Sequence, residues 1–268
     1  MTQRTENSPF PETIDSLAEQ FAACGLEAGQ TVLVHMAMGK IGWVLGGAQA
    51  VILAFLRVLG PTGTLMMPAH SAENTEPAYW RHPPVPESWW PIIREHTPAY
   101  DPAITPTRMM GRVAELFRTW PGVLRSAHPV GSFAAFGPNA ERLTAHHLLE
   151  DEFNPNSPIG QLYRLDGHIM LLGVDHGNNT SLHMAEERAA WPSKRVVQQG
   201  SAMLVNGQRQ WVTYQALDLN DDDFPQLGDQ YEAEHGIPRH RVGQAEVRFM
   251  KQRPLIDWAV GWIERNRS

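Results

Sequence analysis

Residues 31–70 limit the fold more than any other part of the chain. TVLVHMAM reads as a buried strand, GKIGWVLGG as a glycine loop, AQAVILAFLRVLG as a strongly apolar helix stopped at Gly60, and PTGTLMMPAH as a turn into a second strand. Strand, loop, helix, turn and strand in that order make a βαβ unit, whose crossover helix covers a face of a sheet. The expected class is α/β: a layered α/β/α sandwich around a central mixed sheet, as one domain over residues 1–268. Upstream, Ile14, Leu17 and Phe21 keep helical spacing and Gly25 is placed to end that helix.

From Ser71 to Pro106 the chain becomes rich in Pro, Trp, His and Glu, without periodicity. A segment of that length is a functional loop or an excursion from the core, and Trp80, Trp89 and Trp90 imply that it packs. Helical spacing resumes at Val113, Leu116 and Phe117 and closes at Pro121 and Gly122. SAHPVGSFAAFG is a further apolar stretch, NAERLTAHHLLE has helical character, and HIMLLGV reads as a compact buried strand. TSLHMAEERAAW should form a helix, VVQQGSAMLVNGQRQWVTYQAL a late β-hairpin turning at Asn206 and Gly207, and PLIDWAVGWIERN a final amphipathic helix.

The formal charge of -7 argues against a nucleic-acid partner. No apolar run approaches the roughly 20 residues that span a bilayer, and MTQRTENSPFPET lacks the apolar core of a signal peptide, so no membrane association and a cytoplasmic location are expected. Cys24 is the lone cysteine, which leaves no internal disulfide and is expected to be a buried, inert thiol. Asp218, Asp221, Asp222 and Asp223 form an acidic run that reads either as a solvated loop or as an attractor for a polycation.

HGNNTSLHMAEE, His176 to Glu187, hangs from the end of the HIMLLGV strand, where open α/β sheets place their sites. On a helix, His183 meets Glu186 three residues on or Glu187 four residues on. A carboxylate beside an imidazole orients the ring for general-base work; the alternative is an ordinary surface pair. His176, His183 and Glu186 could also hold a metal for hydrolysis, although their spacing is not HExxH. The glycine loop GWVLGG is either a phosphate cradle or a structural turn. Arg125 and Ser126 of RSAHP either contact a phosphate or form a surface salt bridge and turn.

In order, TVLVHMAMGKIGWVLGG, GPTGTLMMP, FRTWPGVLRSAHP, NSPIG, LLGVDHGNNTSLHMAE and WVTYQALD resemble the aminoglycoside 3-N-acetyltransferases, a fold distinct from the common GNAT acetyltransferases. The resemblance implies acetyl transfer from acetyl-coenzyme A to the 3-amino group of a 2-deoxystreptamine aminoglycoside, with no metal, in a monomer or homodimer. It makes His183 the base and Glu186 its orienting partner. It implies a coenzyme A site from His35, Met36, Ala37, Met38, Trp43, Val44, Gly46 and Gly47, with Arg125, Ser126, Asn179 and Thr180. Asn74, His176, Asp218 and Asp221 would meet the cationic acceptor. Two positions depart from the family: Asn74 is neutral where some relatives are acidic, and HMAM lacks the hydroxyls many carry after His35. The Ser71 to Pro106 excursion is similar to a Bacillus-type branch of the fold. Acetylation of another small amine, and a non-catalytic protein that sequesters cationic drugs, are the alternatives.

Overall fold

The computed structural model describes residues 10–81 and 83–268. Most of the stretch read for a leader, and His82 of the excursion, lie outside them. Helix α1 (Ile14–Ala23) opens on a capping box between Thr13 and Ser16 and ends where Gly25 takes φ +99°. Strand β1 (Thr31–Met36), helix α2 (Gly47–Leu59) and strand β2 (Thr64–Pro68) form the anticipated unit, with the two strands parallel. There follow α3 (Trp90–His96), α4 (Gly111–Arg118), β3 (Leu124–Arg125), β4 (Phe133–Phe136), α5 (Ala140–Thr144) and α6 (Pro158–Arg164). The second half holds β5 (His168–Leu172), α7 (Leu182–Arg188), β6 (Val196–Val205), β7 (Gln208–Leu217), α8 (Phe224–His235), β8 (Arg239–Val242), β9 (Ala245–Lys251) and α9 (Gln252–Asn266).

Among the described residues, seven strands form a mixed sheet in the order β3-β4-β2-β1-β5-β9-β8, with β1 parallel to β2 and β5 and the remaining pairs antiparallel. Successive strand side chains point to opposite faces. Val32, Val34, Leu65, Met67, Met170 and Leu172 accordingly share one core with α1, α2 and α4. Leu33, Met66, Ile169 and Leu171 share the other with α6, α7, α8 and α9. This is the layered α/β/α arrangement expected from the sequence.

The late hairpin forms its own two-stranded sheet, with Asn206 and Gly207 both at positive φ in the turn. It anchors the excursion. The Asn74 side chain accepts from the Ala202 N–H at 2.7 Å and donates to the Ala202 carbonyl at 2.9 Å, while the Tyr100 N–H donates to that same carbonyl at 2.8 Å. Of the three tryptophans expected to pack, Trp89 stays mostly exposed and Trp80 is held by its indole N–H on Thr75 at 2.8 Å.

Two expected helices are shorter than their sequence patterns. NAERLTAHHLLE is helical only to Thr144, because His147 turns inward to bond Ser126 Oγ at 2.9 Å and the Glu152 carbonyl at 2.8 Å. TSLHMAEERAAW stops at Arg188, where the Lys194 ammonium donates to the carbonyls of Glu186, Glu187 and Ala189. Cys24 is buried, and burial pushes its thiol up to about 11. Among the described residues no helix is long and apolar enough to cross a membrane.

Candidate active site

Because β1, β2 and β5 run parallel, their carboxyl ends share one edge of the sheet. His35 and Met36 close β1, His70 lies two residues past β2, and Val174 to Asn179 leave β5. His35, Met36, His70, Val174 and Gly177 to Asn179, with Met109, Met110, Phe153, Thr180, His183, Asp221 and Phe224, line a cavity of about 230 Å³. Met109 reaches it from a left-handed backbone conformation, φ 60°, which is uncommon for a residue other than glycine.

His183 sits in the first turn of α7 and Glu186 one turn later, so the helix itself brings them together. The Nδ1 of His183 lies 2.5 Å from Glu186 Oε2. The imidazole is held between Phe153, with ring centroids 5.0 Å apart, and Phe224, at 4.9 Å. Glu186 is wholly buried, and its second oxygen accepts the Asn220 N–H at 3.0 Å and a hydrogen bond from Arg267. With Nδ1–H donating to Glu186, the ring lone pair stays on Nε2, the nitrogen left for the cavity. Glu187, the other carboxylate within helical reach, does not take Nδ1; burial raises its pKa.

The remaining ring groups are set up to be neutral. Burial and then the neighbouring His183 push His35 down to about 3, and burial followed by His35 does the same to His70. Glu152 moves the other way: burial pushes it up to about 7 against the opposing pull of His183. Three polar atoms in the lining are buried without a partner, His35 Nε2, His70 Nε2 and Asn179 Oδ1. Such atoms are costly unless something pairs with them.

Residues 33–264 match the family model described as aminoglycoside 3-N-acetyltransferase. The chain is 41% identical, over 100% of its length and 98% of the relative's, to the SPbeta prophage-derived aminoglycoside N(3')-acetyltransferase-like protein YokD of Bacillus subtilis (strain 168). The crystal structure of that protein superposes with a TM-score of 0.94 over 98% of this chain and 97% of its own. Aminoglycoside N(3)-acetyltransferase IX of Micromonospora chalcea is 36% identical, over 96% of this chain and 95% of the relative. A structure of AAC-IIIb, binary with CoASH, is 29% identical with a TM-score of 0.86, over 97% of this chain and 98% of that one.

The chain belongs to the aminoglycoside 3-N-acetyltransferase family. Against that family pattern, His35, Met36, Asn179 and Thr180 come together with His183 in the cavity. Ala37 is bound by its N–H to the Leu172 carbonyl, and Met38 opens a short 3-10 turn. The Trp43 to Gly47 loop is joined to the segment before α1: Glu12 N–H donates to the Trp43 carbonyl and Leu45 N–H to the Glu12 carbonyl. Val44 is buried there, and Gly46 and Gly47, at φ 84° and 60°, turn the chain into α2. Nothing in this arrangement brings the loop's glycines to the cavity lining.

Arg125 and Ser126 of this acetyltransferase lie inside the structure. The Arg125 guanidinium donates to the carbonyls of Ala69, Pro102 and Thr105 and to Ser132 Oγ, and stacks 5.1 Å from Tyr100. It ties the excursion to β2 rather than forming a surface salt bridge. Ser126 is fully buried, accepting the Phe133 N–H and bonding His147.

Of the residues expected to meet the acceptor, Asp221 lines the cavity. Asn74 has both ends of its amide occupied by Ala202, and Asp218 pairs with Arg195. His176 is buried with Nε2 3.0 Å from Glu232 Oε1 and Nδ1 3.3 Å from Asn179 Nδ2. Its ring lies so close to α8 that a Cβ added to Gly228 would sit 2.0 Å from His176 Cγ. Gly228→Ala should therefore lower stability by about 1–3 kcal/mol or more, through overpacking, and a urea melt measures it. Among the described residues no group of three or more His, Cys, Asp or Glu side chains is arranged to hold a metal.

His70, Phe153, Glu152 and Arg267 escaped the sequence reading. His70 had a signal, since it follows β2 as the quoted stretch follows β5; the others reach the site through tertiary packing alone.

Proposed function

We propose that the chain transfers acetyl from acetyl-coenzyme A to the 3-amino group of a 2-deoxystreptamine aminoglycoside, with His183 as general base. The observation that carries this reading is the His183 ring, clamped by Phe153 and Phe224, with Nδ1 on buried Glu186 and Nε2 left for the cavity. The acceptor nitrogen attacks the thioester carbonyl carbon as Nε2 removes its proton. The C–S bond then breaks and the imidazolium returns the proton to the departing thiolate.

Two of the three unpartnered atoms fit a pantetheine arm, which carries amide groups. Asn179 Oδ1 is placed to accept an amide N–H, and His35, held neutral, to donate from Nε2 to a carbonyl. Met36, Met109 and Met110 supply the apolar wall such an arm needs. A structurally similar family member is known with CoASH bound. Asp221 in the lining gives a polycationic acceptor a counter-charge. The metal-hydrolase alternative is disfavoured because Glu232 and Asn179 already occupy both nitrogens of His176.

A thiol-release assay with acetyl-coenzyme A tests the reading against aminoglycosides that do or do not carry a free 3-amino group. Release that requires that group is expected. Release with simple amines alone points to another small-amine acceptor, and drug binding without release points to sequestration.

A further inference from the structure

Glu186 has two oxygens, and only one faces His183. The other accepts from the Arg267 guanidinium, a residue beyond the span matched by the family model. Arg267 also grips Asp223 through two bonds, Nε to Oδ2 at 2.8 Å and Nη2 to Oδ1 at 2.6 Å, and donates to the Asn220 carbonyl at 2.7 Å. Its guanidinium lies 5.2 Å from the Trp191 ring and 5.8 Å from Phe224, the ring that also flanks His183. Asn220 completes the arrangement by giving its own N–H to the Glu186 oxygen that Arg267 binds.

We infer that Arg267 is a positioning residue for acyl transfer: by fixing the far oxygen of Glu186 it holds the near one on Nδ1 and keeps Nε2 of His183 available to the acceptor amine. The inference rests on the reading of His183 as the base. A planar fork suits this position because it bonds a carboxylate, a second carboxylate and a carbonyl at once, which a lysine ammonium cannot do with the same fixed directions. The partners also hold the cation. Burial opposes its charge, yet the bonds to Asp223 and Glu186 outweigh that and raise its pKa.

Arg267 further sets the charge that the imidazole experiences. Glu186 is bonded to His183, while Glu152, Glu187, His35 and His70 act on the ring electrostatically and Asp221 lies across the cavity. Lys194 acts on the carbonyls at the end of α7, not on the Glu186 carboxylate. Arg267 is the cation bonded to that carboxylate among the described residues. Without it, Glu186 stabilises an imidazolium more strongly, and the base needs a higher pH to be free.

The test is kcat/KM against pH for Arg267→Ala, Arg267→Gln and Arg267→Lys, with KM for acetyl-coenzyme A measured alongside. The neutral variants should lose about 10- to 100-fold in kcat, with little change in that KM. Their acid limb should move up by roughly one pH unit, and Arg267→Lys should recover most of that shift while regaining only part of kcat. If Arg267→Ala does not fold, Arg267→Gln carries the same expectation. A folded neutral variant with the wild-type acid limb overturns the inference, whatever its kcat. His183→Ala separates the two claims: if it stays active, the base assignment fails, and if it is inactive while the limb of Arg267→Gln stays put, only the role of Arg267 fails.

Discussion

His183→Ala should lower kcat by about a hundred- to ten-thousand-fold, the range a positioned general base supplies, and leave acetyl-coenzyme A binding nearly intact. The split follows from geometry. The atoms suited to the pantetheine arm, Asn179 Oδ1 and His35 Nε2, belong to the turn after β5 and to β1, and neither is bonded to His183. Removing the imidazole therefore takes away the proton acceptor without dismantling the rest of the lining. Steady-state kinetics paired with calorimetric titration of coenzyme A checks both halves. Equal losses in binding and turnover would mean that His183 shapes the cavity rather than serving the chemistry.

The second large effect is on stability. Glu232 is buried in α8 and accepts from Arg248 at 2.5 Å and Arg239 at 2.9 Å, with His176 Nε2 at 3.0 Å. Arg248 is itself buried on β9 and also pairs with the half-exposed Glu246 at 2.8 Å, so Glu232→Ala removes its buried counter-charge, beside a histidine that contacts the active-site Asn179. Breaking a buried pair from one side costs about 3–5 kcal/mol, which a urea denaturation curve should report. The same group gives an acid limb to stability. Burial alone would raise its pKa, but the bond to His176 and the arginines bring the carboxyl from 4.5 down to about 2. A folded value below the unfolded one means the contribution is complete above about pH 4.5 and drains away as pH falls towards 2. Glu232→Gln should flatten that part of the stability profile.

The parts of the fold that were legible in the sequence are those whose signal is local. The βαβ unit at residues 31–68 carries its apolar runs and stop glycines in order, and Asn206-Gly207 can hardly mark anything but a hairpin turn. The His183–Glu186 pair was readable for the same reason, because helical spacing alone makes it. Strands β8 and β9 were not, since RHRV and AEVRFMK mix charged and apolar residues and the pairing of β9 with β5 is a tertiary fact.

Residue roles became illegible where several distant segments converge. RSAHP looks like a surface turn until Ala69, Pro102 and Thr105 supply carbonyls to Arg125. Asp223 looks like one more solvated acid in LDLNDDDF until Arg267, far along the chain, binds it and Glu186 together. His176 carries an imidazole beside the active stretch, yet α8 closes over it at Gly228 and leaves no opening towards a ligand. In each case the deciding partner lies many residues away, where spacing gives no hint.

Acyl transfer by this route requires His183 to take the proton of the attacking amine. The most direct measurement follows the His183 ring by NMR across pH in the free enzyme, assigned with a His183 variant, beside kcat/KM on the same protein. Since kcat/KM reports the ionisation of the free enzyme's essential base, the ring's midpoint and the acid limb of activity should coincide, and both should shift together in Arg267→Gln. An activity limb that ignores the His183 titration, with the ring changing charge at a pH where turnover is flat, would contradict it.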